Sequence, residues 1–169
     1  IHSPGPLATI QDQGRFGFAR YGISVSGAAD AHALTLGNML VGNAANAAAI
    51  EVTFGGADIE FTAETVLAIT GGDLTPSING ASAPMNQAIA GIPGDRLTFG
   101  SPRNGLRAYV CVAGGIDVPP ALGSRSTYLA AGIGGLEGRP LRTGDELSAG
   151  TADRQVGFTN RSAHAGRRA

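Results

Sequence analysis

Apolar and polar positions follow two rhythms along the chain. In the first, Ala29, Ala33, Leu36 and Leu40 recur at helical spacing behind Asp30, a good N-cap, and Gly42-Asn43 supply a stop. This pattern predicts one clear α-helix over about 30–41. From Ala49 onward short runs rich in Val, Ile, Phe and Thr alternate with turn residues: AIEVTF, ADIEF, TVLAIT, PSING, NQAIA, DRLTF and LRAYVCVA. That cadence predicts a mainly β, antiparallel core. Gly72-Asp73, Gly94-Asp95 and Gly144-Asp145 each stand just before an apolar residue, and read as structural turns into strands. Asn79-Gly80 is a two-residue hairpin signal. With strands this many and this short, closure into a barrel removes the sheet edges. Residues 1–150 then form one domain, and 151–169, lacking period and apolar density, read as a flexible tail or truncated linker.

Composition narrows the function classes. The formal net charge is −1, so no basic field invites nucleic acid or anionic lipid. No apolar stretch is long enough to span a membrane. All 12 basic residues are Arg. Without Lys there is no Walker A loop for ATP, and no side chain on which biotin could be carried. Cys111 lies in the apolar run Tyr-Val-Cys-Val-Ala and reads as a packed thiol in a reducing, cytoplasmic setting. The chain opens with Ile1 rather than Met and reads as an excised piece of a longer protein.

Chemistry-bearing side chains gather in few places. His2, His32 and His164 show no metal-ligand spacing, so no metal site is expected. Gly132-Ile-Gly-Gly-Leu-Glu-Gly138 is one residue too long for a dinucleotide fingerprint. Its backbone could form an anion nest with Arg139, against the plainer reading of a loop. Gly123-Ser-Arg-Ser-Thr127 offers hydroxyls and a guanidinium to a carboxylate or phosphate, or equally forms a turn whose hydroxyls satisfy local backbone. The most crowded segment is the opening one, where Gln11, Asp12, Arg15, Ser26 and Asp30 stand among Gly14, Gly17, Gly22 and Gly27. Two readings compete there: an exposed Asp12–Arg15 pair, or a packed polar loop that bonds its own backbone and builds a site.

The order of these phrases resembles one family. Pro4-Gly-Pro-Leu7, Thr9-Ile-Gln-Asp-Gln-Gly-Arg15 and Gly22-Ile-Ser-Val-Ser-Gly-Ala-Ala-Asp30 are similar to the opening of the KipA family, also called allophanate hydrolase subunit 2 or the C subunit of 5-oxoprolinase. The likeness runs on through Ile50-Glu-Val-Thr53, Ile69-Thr-Gly-Gly-Asp73, Tyr109, Gly114-Gly-Ile-Asp-Val118, Leu122-Gly-Ser-Arg-Ser-Thr127 and Gly134-Gly-Leu-Glu-Gly-Arg139. It covers residues 3–148, the first half of a family whose members are nearly twice as long.

The resemblance implies a cyclophilin-like β-barrel within a biotin-dependent carboxyltransferase domain. It implies a KipI-like partner, the B-type component of 5-oxoprolinase, with a LamB/YcsF-like A-type protein as a third component. Together these open a small lactam or amide, 5-oxoproline for example, with ATP used by the complex. Biotin, where used, arrives on another chain. The competing implication is a non-enzymatic regulator, a KipA-like antagonist of a kinase inhibitor. On residue chemistry, Asp12 and Arg15 are expected to act as an orienting pair and Asp30 in proton transfer. Arg125, Ser126 and Thr127 are expected to hold a carboxylate or acyl phosphate, with Gln11, Ser26 and Arg139 as further substrate contacts.

Overall fold

The structure, a computed structural model, describes residues 1–152. The expected tail 151–169 lies almost wholly outside the described residues. The chain is mainly β with one α-helix, as its pattern predicts. In order it forms β1 (Ser3–Pro4), β2 (Leu7–Gln11), a 3-10 turn (Ala19–Tyr21) and α1 (Ala31–Leu40). Next come β3 (Ala49–Thr53), β4 (Ala57–Glu60), β5 (Thr65–Asp73), β6 (Pro76–Ile78) and β7 (Ala81–Ser82). β8 (Ala88–Gly91), β9 (Arg96–Phe99) and β10 (Asn104–Val112) follow, and then an irregular segment to Gly150.

The strands pair antiparallel in two five-stranded sheets, ordered β1-β4-β9-β6-β7 and β2-β3-β10-β5-β8. No ladder among the described residues joins the two, so the pairing is that of facing sheets rather than one continuous cylinder. Edge protection comes by other means. The edges β1 and β7 are two residues long. On the outer edge of β2, Thr127 N donates to Ile10 O and Leu141 N to Ala8 O, each at 2.8 Å. The irregular segment thus does for that edge what closure would have done.

Strand period explains the layers. In the β2 sheet Ile10, Ile50, Val52, Val110, Leu67 and Ile69 face the other sheet and form the main core. Their neighbours Ala49, Ala68, Tyr109 and Cys111 point the other way, onto Ala33, Leu34 and Val41. Helix α1 therefore lies on the outside of this sheet. The Cys111 thiol is buried there, and burial pushes it up to about 12.

Helix α1 starts where the sequence places it: Asp30 Oδ1 accepts from Ala33 N at 2.9 Å. It ends in a Schellman pair, with Gly42 N donating to Met39 O and Asn43 N to Asn38 O. The buried face differs from the expected stripe. Ala33, Leu34, Gly37 and Asn38 are buried, while Leu36 is exposed. The reason is close approach: a Cβ at Gly37 would stand 2.6 Å from Cys111 Sγ and 2.9 Å from Thr70 Oγ1. Asn38 follows it inward and donates to Ala47 O at 2.8 Å.

The hairpin signal is met. Asn79 and Gly80 join β6 to β7 with φ of 53° and 81°, both left-handed, as a type I′ turn requires. Gly94-Asp95 precedes β9 as expected, and Asp95 accepts from Ile92 N and Asn79 Nδ2. Gly72-Asp73 instead closes β5, since strand pairing continues through Asp73 opposite Asn104. Its side chain then turns the chain by accepting from Thr75 N.

Candidate functional site

Strand β2 runs out of the sheet at Gln11, directly into the polar loop. The loop closes on itself first: Asp12 Oδ1 accepts from Gly14 N at 2.7 Å, and Arg15 N donates to Val25 O at 2.8 Å. It is then tied to a segment more than a hundred residues away. Asp12 Oδ1 also accepts from Ser124 Oγ at 2.6 Å and Ser126 Oγ at 2.5 Å, and Oδ2 accepts from Arg125 N at 2.5 Å. Asp12 N donates to Ser126 Oγ, and Asp12 O accepts from Ala28 N. Burial raises the carboxyl pKa, but the four donated bonds outweigh it and hold Asp12 below the ordinary carboxylate range. Asp12 is the centre of a clasp.

Arg15 is 1% exposed. Its guanidinium donates through Nη2 to Ser126 O, and weakly through Nε to Ala121 O at 3.5 Å. No ion pair joins it to Asp12 among the described residues, so the expected orienting pair is corrected. The Asp12 carboxylate is already filled by hydroxyl and backbone donors, and the two residues meet instead through Ser126. The 12–15 stretch is packed, as the second reading required, whereas Phe16 and Tyr21 further along the loop are exposed.

The remaining candidates divide. Ser26 Oγ donates to Thr127 O at 2.8 Å, Gln11 Nε2 donates to Thr9 Oγ1 at 3.0 Å, and Thr127 Oγ1 donates to Ile10 O at 2.9 Å. The structure thus brings Gln11, Asp12, Arg15, Ser26, Ser126 and Thr127 into one cluster, where the hydroxyls satisfy local acceptors. The Arg125 side chain leaves it, donating to Val118 O at 2.8 Å and lying 3.7 Å from Asp117. Asp30 spends Oδ1 on the helix cap. Arg139 lies apart, forked onto Asp145 at 2.8 and 2.9 Å and bonded to Glu137 at 2.9 Å. The glycine turn beside it is a loop that packs against the clasp. Gly135 N donates to Arg125 O, and a Cβ at Gly134 would stand 2.0 Å from Ser126 O.

Sequence reasoning missed Glu51. It is buried in β3 opposite Tyr109 of β10. Its Oε2 accepts from Tyr109 Oη at 2.7 Å and Ala29 N at 2.9 Å, and Tyr109 Oη accepts from Asp30 N. Burial, then the Glu51 carboxylate, pushes the Tyr109 hydroxyl above its usual value. This pair pins the residues just before α1. A carboxylate inside the apolar run AIEVTF was the available signal.

Beside the clasp lies an open cleft. Asp12, Gln13 and Asn46 give it polar groups, and Phe16, Phe18 and Leu122 give it apolar walls. Among the described residues no group of three or more His, Cys, Asp or Glu is placed to hold a metal. No helix among them is long and apolar enough to cross a membrane.

These features sit in a protein of the carboxyltransferase class. The chain belongs to the family described as carboxyltransferase domain, subdomain A and B, whose model matches residues 21–167. That span takes in Ser124–Thr127 and begins after Asp12 and Arg15. The chain is 46% identical to the C subunit of 5-oxoprolinase of Escherichia coli (strain K12) over 150 residues, which is 89% of this chain and 48% of that protein. It is 43% identical to urea amidolyase of Saccharomyces cerevisiae over 148 residues, 87% of this chain and 8% of that one. The solved Kluyveromyces lactis urea carboxylase is 38% identical with a TM-score of 0.85, over 90% of this chain and 14% of that chain. The chain spans about half the length of the curated 5-oxoprolinase proteins it matches.

Proposed function

We propose that the chain is the first half of one component of an ATP-dependent 5-oxoprolinase or a related biotin-dependent carboxyltransferase and amidohydrolase. It works on a small amide or lactam beside a KipI-like, B-type partner, with a LamB/YcsF-like A-type protein completing the complex in the cytoplasm. The relatives named above support the reaction class. The observation that carries the reading is the clasp. A saturated, buried carboxylate at Asp12 fixes the 12–15 loop against Ser124–Thr127 at the edge of a cleft with polar and apolar sides. Asp12 and Arg15 act there by holding the cleft's shape, since their bonds are turned inward.

The glycine turn is not a P-loop for ATP. The glycine turn at 132–138 spends Gly135 N on Arg125 O and Gly138 N on Gly134 O, so those N–H groups are not offered to a phosphate. With no Lys among the 169 residues, a Walker-type ATP site lies outside them. The 169 residues hold no Lys, so biotin also comes from elsewhere. When present it supplies a transferable carboxyl group, and this chain's part is to shape the cleft that faces it.

The test is reconstitution. The chain is combined with the missing half and with the A-type and B-type components, and glutamate is measured from 5-oxoproline and ATP. Glutamate is expected from the complete mixture and not from the chain alone, and an avidin blot of the chain is blank. Turnover unchanged when the chain is left out overturns the reading, as does robust turnover by the chain by itself.

A further inference from the structure

The main core is not closed at every side. Between the two sheets, a cavity of about 190 Å³ opens to solvent over Ile50, Ile59, Val110 and Val112. These four are buried members of the inter-sheet core, so the cavity is a continuation of that core, reachable from outside. It shares no lining residue with the Asp12 cleft.

Its mouth has one sign of side-chain charge. Glu60, Glu64, Asp145 and Glu146 line it and no Arg or His side chain does; the one cation there is the Ile1 ammonium, which donates to Asp145 O at 2.8 Å. Glu60 is hydrogen-bonded to His2 at 2.5 Å and Asp145 is ion-paired with Arg139, so those two already have partners. Glu64 and Glu146 have no ion pair among the described residues. An apolar floor with two unpaired carboxylates at its entrance selects for a short hydrocarbon body carrying a cationic head. A carboxylate on the same body would meet those charges with repulsion, and a purely apolar ligand would leave them unused.

We propose that this inter-sheet cavity is a binding site for a small alkylammonium compound. Its hydrocarbon lies on Ile50, Ile59, Val110 and Val112, and its ammonium lies at Glu64 and Glu146. The site is separate from the carboxyltransferase reading and stands or falls without it.

The experiment uses the whole 169-residue chain with labelled Ile and Val methyl groups, titrated with 3-methylbutylamine near neutral pH. The methyls of Ile50, Val110 and Val112 are expected to shift in a saturable way. The isosteric carboxylate 4-methylpentanoate and the bodiless methylamine are expected to leave them in place. Glu64→Gln with Glu146→Gln, two changes at the mouth that spare the core, is expected to weaken the amine about fivefold. Ile59→Phe, which fills the floor, is expected to abolish the shifts. Methyls that do not move with the amine overturn the proposal. So does a carboxylate that binds as well as the amine, or an affinity the double substitution leaves unchanged.

Discussion

Two carboxylates, Asp12 and Asp145, each tie a loop to the body of the protein, and they use opposite kinds of partner. Asp145 takes the fork of Arg139 and the backbone N–H of Arg142, near the surface. Asp12 takes hydroxyls and backbone N–H groups in the interior, and no cation. Both are held below the ordinary carboxylate range. For Asp145 the first cause is the Arg139 bond, whereas Asp12 first has burial against it and overcomes that through its donors. An ion pair near water is screened and replaceable. A buried carboxylate satisfied by neutral donors is not, because removing it leaves each donor stranded.

The largest expected effect follows from that contrast. Asp12→Ala strands the hydroxyls of Ser124 and Ser126 and the N–H groups of Gly14 and Arg125, and should cost roughly 3 kcal/mol in urea unfolding. Asp145→Ala should cost a fraction of that. Equal losses would erase the comparison.

A smaller effect tests the packing of α1 on β5 and β10. Gly37→Ala gains about 1 kcal/mol of helix propensity, yet its Cβ would press on Cys111 Sγ and Thr70 Oγ1. Overpacking of this kind costs about 1–3 kcal/mol, so a net loss near 1 kcal/mol is expected from thermal unfolding. A stabilised variant would mean that α1 can lift from the sheet.

The clasp also sets how stability depends on pH. The folded pKa of Asp12 is depressed, so its contribution is complete above the unfolded value of about 4 and fades as pH falls through the folded one. The stability gap between the wild-type protein and Asp12→Asn should therefore be constant at neutral pH and shrink only in acid, below about pH 4. A gap that narrows already near pH 6 contradicts the depressed pKa. The smallest effect is ionic: molar salt should shrink the loss from Arg139→Gln and leave that from Asp12→Ala intact.

Much of the fold was legible because it is local. The Asn79-Gly80 hairpin, the Asp30 cap and the runs that became β3, β4, β5, β9 and β10 depend on residues close in sequence. Strand β2 was hidden: its helix-facing positions carry Thr9 and Gln11, so the segment reads as a polar loop. The helix face was displaced because Gly37, which has no side chain to register as apolar, is its closest contact. The site showed the same division. Asp12, Arg15, Ser126 and Thr127 could be singled out as side chains, but their pairing spans more than a hundred residues and follows from the path of the irregular segment along β2. Glu51 escaped notice because a carboxylate in a strand ordinarily faces water, and here Tyr109 and Ala29 N receive it.

The most direct test of the clasp is the titration of Asp12 itself, followed through its carboxyl carbon by NMR in the wild-type protein and in Ser126→Ala. The carboxylate should stay ionised below the ordinary range near pH 4, and its midpoint should rise when the Ser126 hydroxyl is removed. A resonance titrating at the ordinary value, and unmoved by Ser126→Ala, would show a solvated side chain on a surface loop and contradict it.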